Sequence, residues 1–222
     1  MVRKAVCRTG WPGMSDANTT VGRFVLRQAP AVADEEQALL DATFGLSRRT
    51  QASYRLREGA EPVAGLSFHA IEKRSGRLAG VISFWPLRTW PGGRQALLLG
   101  PLAVHPDFQN DGLGSLLMRT GLRAAEEAGH GLVLLVGDAP YYGRHGFAPV
   151  PAGQLQLPGP FEPQRLLYRE LVPGALQGVD GLLLPEWRYH QLRERHGQRE
   201  RHERRDQRVP GERQAQEQPR AE

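Results

Sequence analysis

Several things are scarce in this sequence, and each scarcity closes off a class of protein. There is one cysteine, Cys7, in 222 residues. That excludes an internal disulfide framework and any cysteine-rich metal site. No apolar run approaches the roughly 18 residues that would suggest a membrane-spanning helix. The N-terminus carries basic residues without an apolar stretch behind them, so it does not read as a secretory signal. Lysine is rare against arginine, a bias of composition more than of chemistry. The formal charge is +5 with a pI near 9.9, which permits an acidic partner without demanding one. Much of the charge is local: Arg193 to Glu222 holds nine Arg and seven acidic residues, a near balance that argues for a solvated surface and against nucleic-acid binding. What is present is a 40% apolar complement, enough for a sizeable core in one domain. We expect a soluble protein of a reducing compartment, cytoplasmic, with no resident metal.

In chain order, residues 1–23 are rich in Gly, Ser, Thr, Asn and Asp and read as a poorly ordered lead-in, with Met14 an alternative start. Phe24–Arg27 suggests a short strand. Ala33–Phe44 suggests a helix with Ala38, Leu39 and Ala42 on its buried face, ended by Gly45. Residues 48–57 are ambiguous. Gly65–Ile71 and Leu78–Trp85 read as a hairpin through Lys73-Arg-Ser-Gly76, with Pro86–Gly93 a link to a third strand, Ala96–Val104. Gly100-Pro101 in that strand predicts a bulge where pairing is lost on one side, because proline has no N–H to give. A helix over Gly112–Ala128 follows, with Leu113, Leu116, Leu117, Ala124 and Ala128 sharing a buried side. Leu132–Val136 reads as a doubly covered strand parallel to its predecessor. Asp138–His145 suggests a short helix capped by Asp138, then a Pro-rich loop, Pro149–Pro163, and a strand over Arg165–Val172. Leu182–Pro185 can still pack on the domain, and order is expected to end near Arg193. The expected organisation is 1–23 lead-in, 24–185 domain and 186–222 polar tail.

The chemistry concentrates at Gln109-x-x-Gly112-x-Gly114, where a strand feeds a helix. Such a turn leaves backbone N–H groups unpaired at the positive end of the helix dipole, a ready anion site. A dinucleotide fingerprint would need Gly-x-Gly-x-x-Gly within a βαβ unit, and an antiparallel meander precedes this turn instead. A phosphate loop of the Walker type would need Lys before Ser115, and Gly114 stands there.

The pattern Val104-His105-Pro106-x-x-Gln109-x-x-Gly112-x-Gly114, followed by a helix, a buried strand and Tyr142-x-x-x-Gly146-Phe147, resembles the GNAT superfamily of acetyltransferases. The resemblance is strongest over Leu97–Val150 and, with Leu99–Val104 and Gly137–Phe147, is similar to a subgroup of small bacterial N-acetyltransferases. It implies an α+β (mixed α/β) fold: a central, mostly antiparallel sheet splayed after a bulged strand, with helices on both faces. It implies acetyl-CoA as acyl donor, its pyrophosphate wrapped by the backbone of Gln109, Asn110, Asp111, Gly112, Leu113, Gly114 and Ser115. Leu102, Ala103 and Val104 would pair with the pantetheine amides as if the coenzyme were a strand. Tyr142 would be the general acid that protonates the departing thiolate, with Tyr141 a coenzyme contact or packing residue. Hydrogen bonds to a charged group contribute roughly 1.5–3 kcal/mol each, and glycines at 112 and 114 let phosphate approach the backbone.

The general base is left open. Asp138 is the better-placed carboxylate, although the helix-capping role is favoured for it; Glu72 is expected to be exposed. His105 and His145 are expected to shape their turns, and Ser83 is read as a core hydroxyl or as a residue of the acceptor channel. The leading expectation is direct transfer of acetyl from acetyl-CoA to an amine in a ternary complex, by a monomer or homodimer. The alternative is a non-catalytic acyl-CoA-binding or sensing module. No motif identifies the acceptor.

Overall fold

Apolar alternation dictates how the middle of the chain folds. The computed structural model describes residues 19–28, 33–46, 48 and 52–207; most of the lead-in, including Cys7 and Met14, lies outside them, as do residues 208–222. Ten strands make one sheet: β1 (Thr19–Val21), β2 (Phe24–Gln28), β3 (Phe68–Glu72), β4 (Leu78–Trp90), β5 (Gln95–Val104), β6 (Leu132–Val136), β7 (Ala148–Pro149), β8 (Leu155–Gln156), β9 (Leu166–Glu170) and β10 (Gly181–Pro185). The helices among the described residues are α1 (Ala33–Phe44), α2 (Ala52–Arg55), α3 (Leu113–Glu127), α4 (Ala139–Gly143) and α5 (Glu186–Gln207). The strand order is β1-β2-β3-β4-β5-β6-β9-β7, with β10 joining β4 and β8 joining β10. Among the described residues only β5/β6 and β8/β10 are parallel. The expected mostly antiparallel α+β sheet is what forms.

Strand residues of one parity face α3. Ile82 and Phe84, Leu97 and Leu99, Val133 and Leu135 share a core with Leu113, Leu117, Met118 and Leu122. Residues of the other parity face α1 and α2: Val81 and Ala103 meet Leu39 and Leu40, while Leu98, Leu132 and Leu134 meet Ala52 and Leu56. This double coverage explains the unbroken apolar run of β6. Gly121 sets how closely α3 sits: a Cβ there would lie 2.6 Å from Phe84 Cε2. The helix is therefore rotated towards Met118, Leu122 and Ala125, which are buried. Leu116, Ala124 and Ala128, expected at the centre of its buried face, flank it partly buried.

Elsewhere the tertiary structure departs from local pattern. In α1 the buried stripe is Glu36, Leu39 and Leu40, with Ala38 and Ala42 outside; the Glu36 carboxylate lies 3.5 Å from Nε2 of buried His69 on β3. Residues 19–21, assigned to the lead-in, form a hairpin with β2, Val21 opposite Phe24 across Gly22 (φ 55°). Strand β4 runs through Pro86, which was expected to end it. Pro86 pairs with Leu97 and falls between the β3 ladder, which ends at Ile82, and the β10 ladder, which starts at Leu87, so its missing N–H breaks no second ladder. The polar tail begins as an ordered helix. Tyr189 of α5 is 5% exposed and packs edge-on to Trp90 at 6.1 Å, Trp187 Nε1 donates to the Glu58 carbonyl at 3.1 Å, and Arg88 pairs with Glu186 at 2.7 Å. Aromatic anchoring and i,i+4 pairs such as His196–Glu200 at 3.4 Å hold a helix that composition alone would not support.

Candidate active site

The site is made where β5 and β6 part. They pair only at Leu97–Val133 and Leu98–Leu134; β5 then stays with β4 to Val104, and β6 stays with β9 to Val136. The divergence begins at the expected bulge, where Gly100 and Pro101 face the single residue Ser83 between the Phe84–Leu99 and Ile82–Leu102 pairs. The edge of β5 from Leu99 to Val104 is thereby released on its β6 side.

Beyond β5, His105 organises a short 3-10 turn (Pro106–Phe108): its Nδ1 accepts from the Asp107 N–H at 3.2 Å and its Nε2 meets Arg77 at 3.1 Å. Phe108 is buried edge-on against Phe24 at 5.9 Å, which anchors the turn so that Gln109–Gly112 swings over the end of the strand. Gln109 Nε2 donates to the Val104 carbonyl at 3.4 Å, so it positions the loop. Asn110 has φ 68° and Gly112 φ 71°; two left-handed residues turn the chain sharply into α3. Gly112 caps α3 without any side-chain hydrogen bond. The N–H groups of the first turn therefore lack intrahelical partners, and they open onto a cleft of about 500 Å³.

That cleft gathers most of the expected coenzyme residues. Leu102 and Val104 come from the released strand edge, and Gln109, Asn110 and Gly112 from the loop. Leu113, Gly114 and Ser115 come from the first turn of α3, with Tyr141 and Tyr142 opposite. Two residues are not on the cleft wall. Ala103 turns its side chain into the core beneath Leu39 and Leu40, as strand alternation requires between Leu102 and Val104. Asp111 pairs with Arg23 at 3.1 Å, fastening the loop to β2. Thr43, Phe44 and Arg144 also line the cleft, and sequence reasoning did not find them.

Tyr142 is held from three sides. Its ring packs edge-on against Tyr141 at 4.9 Å and against Phe147 at 6.1 Å, and it lies so close over Gly137 that a Cβ there would overlap it. Burial first, then the nearby Tyr141 and Asp138, push its phenol up to about 12, with Arg165 opposing. It lines this cleft and also a second cavity, of about 200 Å³. Leu102 and Phe44 are shared in the same way.

Asp138 borders the second cavity. Its backbone carbonyl accepts from Tyr141 and Tyr142 N–H groups, but its side chain makes no capping hydrogen bond. It points outward and pairs with Arg165 at 3.3 Å, which corrects the expected side-chain cap. Glu72, expected to be exposed, is 7% exposed. Its carboxylate accepts from Ser75 N and Oγ, both at 2.7 Å, and these hydrogen bonds hold it below the usual carboxylate range; it builds the β3–β4 turn and is not free as a base. His145 lends its carbonyl to Arg169 at 2.6 Å. Burial, then Arg144, Arg119 and Arg169, lower its imidazole. Ser83 is buried and absent from both cavity walls, so it is a core hydroxyl. Among the described residues no group of three or more His, Cys, Asp or Glu could hold a metal ion, and no helix is long and apolar enough to cross a membrane.

A free strand edge beside bare helix N–H groups is an arrangement found in acyltransferases, and family membership places the chain in that class. The chain is a member of the acetyltransferase (GNAT) family, whose model matches residues 34–147, from the first turn of α1 to the end of the loop after α4. It is 36% identical over 123 residues to the uncharacterized N-acetyltransferase YjhQ of Escherichia coli K12, over 53% of this chain and 65% of that protein; the chain thus spans just under two thirds of this relative. It is 27% identical over 164 residues to the uncharacterized N-acetyltransferase YhbS of the same strain, over 74% of this chain and 94% of that one. The crystal structure of YhbS in complex with CoA superposes with a TM-score of 0.63 at 26% identity, covering 76% of this chain and 93% of that one.

Proposed function

We propose that this chain transfers an acetyl group from acetyl-CoA directly to an amine held in the second cavity. The observation that carries the reading is the position of Tyr142, the aromatic wall between a cleft suited to the coenzyme and a cavity suited to an acceptor. The uncapped first turn of α3 fits a pyrophosphate: Gly112 and Gly114 put no side chain between phosphate and backbone. The released edge of β5 at Leu102 and Val104 fits the pantetheine amides. YhbS, which shares most of this fold, is described in complex with CoA, and that supports CoA as the carrier of the acyl group.

In this reading the amine enters unprotonated. Its nitrogen forms the bond to the acetyl carbonyl carbon, the C–S bond breaks, and the sulfur leaves as thiolate. Tyr142 supplies the proton that the thiolate takes, and the proton lost from nitrogen passes through water, leaving the phenol reprotonated. A phenol near 12 keeps its proton well into the alkaline range in which the amine becomes free. Since Glu72 and Asp138 are both engaged elsewhere, water is the acceptor of the amine proton.

The test is initial-rate kinetics of CoA release over a broad amine panel. Intersecting double-reciprocal lines with acceptor-dependent release are expected. Parallel lines would replace direct transfer with an acyl-enzyme. Tight acetyl-CoA binding without release on any amine would leave the binding-module reading standing.

A further inference from the structure

The second cavity is cationic. Its wall carries three guanidinium groups, Arg48, Arg57 and Arg165, and one carboxylate, Asp138. A site built only to receive an amine would gain nothing from this, since guanidinium groups repel ammonium. Arg48 is 4% exposed. Its Nη2 donates to Gln37 Oε1 at 2.8 Å and to Asp41 Oδ1 at 2.6 Å, which ties it to α1, yet its Nε and Nη1 are buried with no partner among the described residues. Arg165 gives Nη2 to Asp138, and its Nε is likewise buried and unpartnered. Arg57 gives Nε to the Ser53 carbonyl at 3.3 Å, and its guanidinium lies over Tyr54 at 5.1 Å and Trp85 at 5.9 Å. Burial lowers Arg57 to about 10, opposed by Tyr54 and the Glu36 carboxylate and aided last by Arg48, so the group remains a cation at neutral pH. Buried guanidinium N–H groups without acceptors are costly. Anchoring α1 accounts for one nitrogen of Arg48 and leaves the rest unexplained; an anion in the cavity would supply the missing acceptors.

We infer that the acceptor is a small aminocarboxylate, its amine directed to Tyr142 and its carboxylate to Arg48, Arg57 and Arg165. This rests on the reading of the second cavity as the acceptor site. A carboxylate is planar and offers two oxygens to the guanidinium fork. About 200 Å³ is below the range that holds drug-sized ligands, which restricts the acceptor to an amino acid or a molecule of similar size. The same positive field disfavours the ammonium form, so it also helps to present a free amine.

The test compares free amino acids with their carboxamides as acceptors, and adds phosphoethanolamine as an amine with a different anion. For the wild type, kcat/KM is expected to favour the free acid over the carboxamide by roughly 10- to 100-fold. Arg57→Met is expected to bring that ratio close to one while acetyl-CoA affinity is unchanged; Arg165→Met repeats the test should Arg57→Met fail to fold. Equal use of acids and carboxamides, a ratio untouched in both folded variants, or preference for phosphoethanolamine would overturn the inference while leaving acetyl transfer intact. If no acceptor is acetylated, the transfer reading fails, and calorimetric titration of the same pairs into CoA-saturated protein decides the inference separately. Selective binding of the free acids that is lost in Arg57→Met supports it; equal binding or none overturns it.

Discussion

Tyr142 has a phenol near 12, above the ordinary value of 10, with burial the largest cause. For the proposed chemistry this means an acid that does not run down across the working pH range. Tyr142→Phe removes the proton and keeps the ring against Tyr141 and Phe147, so turnover is expected to fall by roughly 10²–10⁴ with acetyl-CoA affinity nearly unchanged, read by stopped-time CoA release and by calorimetry. The same shift has a stability consequence. The folded value lies above the unfolded one, so the native state holds this proton more tightly, and the contribution is complete below pH 10 and lost as pH rises through about 12. Urea unfolding of the wild type and of Tyr142→Phe from pH 9 to 12 should show the wild type losing stability relative to the variant over that window. Parallel curves would mean that the phenol is not held as it is drawn.

Helix α3 does two jobs, one at its first turn and one at its middle. Its first turn faces the cleft proposed for the coenzyme through Gly114, where a Cβ would already come within 2.8 Å of Tyr141 Oη. Gly114→Val is expected to weaken acetyl-CoA binding by roughly 10- to 100-fold, the loss of about one charge-assisted hydrogen bond, with the unfolding midpoint little changed. Two turns later, Gly121 lies on Phe84 and Ile82. Gly121→Ala gains about 1 kcal/mol of helix propensity against about 1–3 kcal/mol for overpacking a tight core. Packing should win, and thermal unfolding should show a net loss.

The sheet joins both halves of the site to the C-terminal helix. Because Tyr189 is buried beside Trp90 and Glu186 pairs with Arg88, the start of α5 is part of the domain, whereas its later residues are largely exposed. Removing residues 198–222 is expected to leave stability within about 0.5 kcal/mol. Removing residues 186–222 should cost about 3 kcal/mol, in the range of deleting a large buried aromatic, measured by denaturant unfolding.

Much of this was legible in one dimension because it depends on neighbours in sequence. Gly100-Pro101 dictates a bulge wherever that strand is placed, since proline has no N–H. Gly112 and Gly114 leave bare N–H groups at the start of α3 because glycine lacks a side chain. The continuous run of β6 demands cover on both faces. These features, with Tyr142 and its resemblance to a known acid, make up the side of the site proposed for the donor. The side proposed for the acceptor was not legible. Arg165 stands far from Arg48 and Arg57 in a sequence full of arginine, and only the folded chain brings the three around one cavity. Composition likewise marked residues 186–207 as solvated tail, because the aromatic contacts that order α5 are made across the sheet. Local backbone chemistry is written in order along the chain, whereas the convergence of side chains from separate elements exists only once the chain has folded.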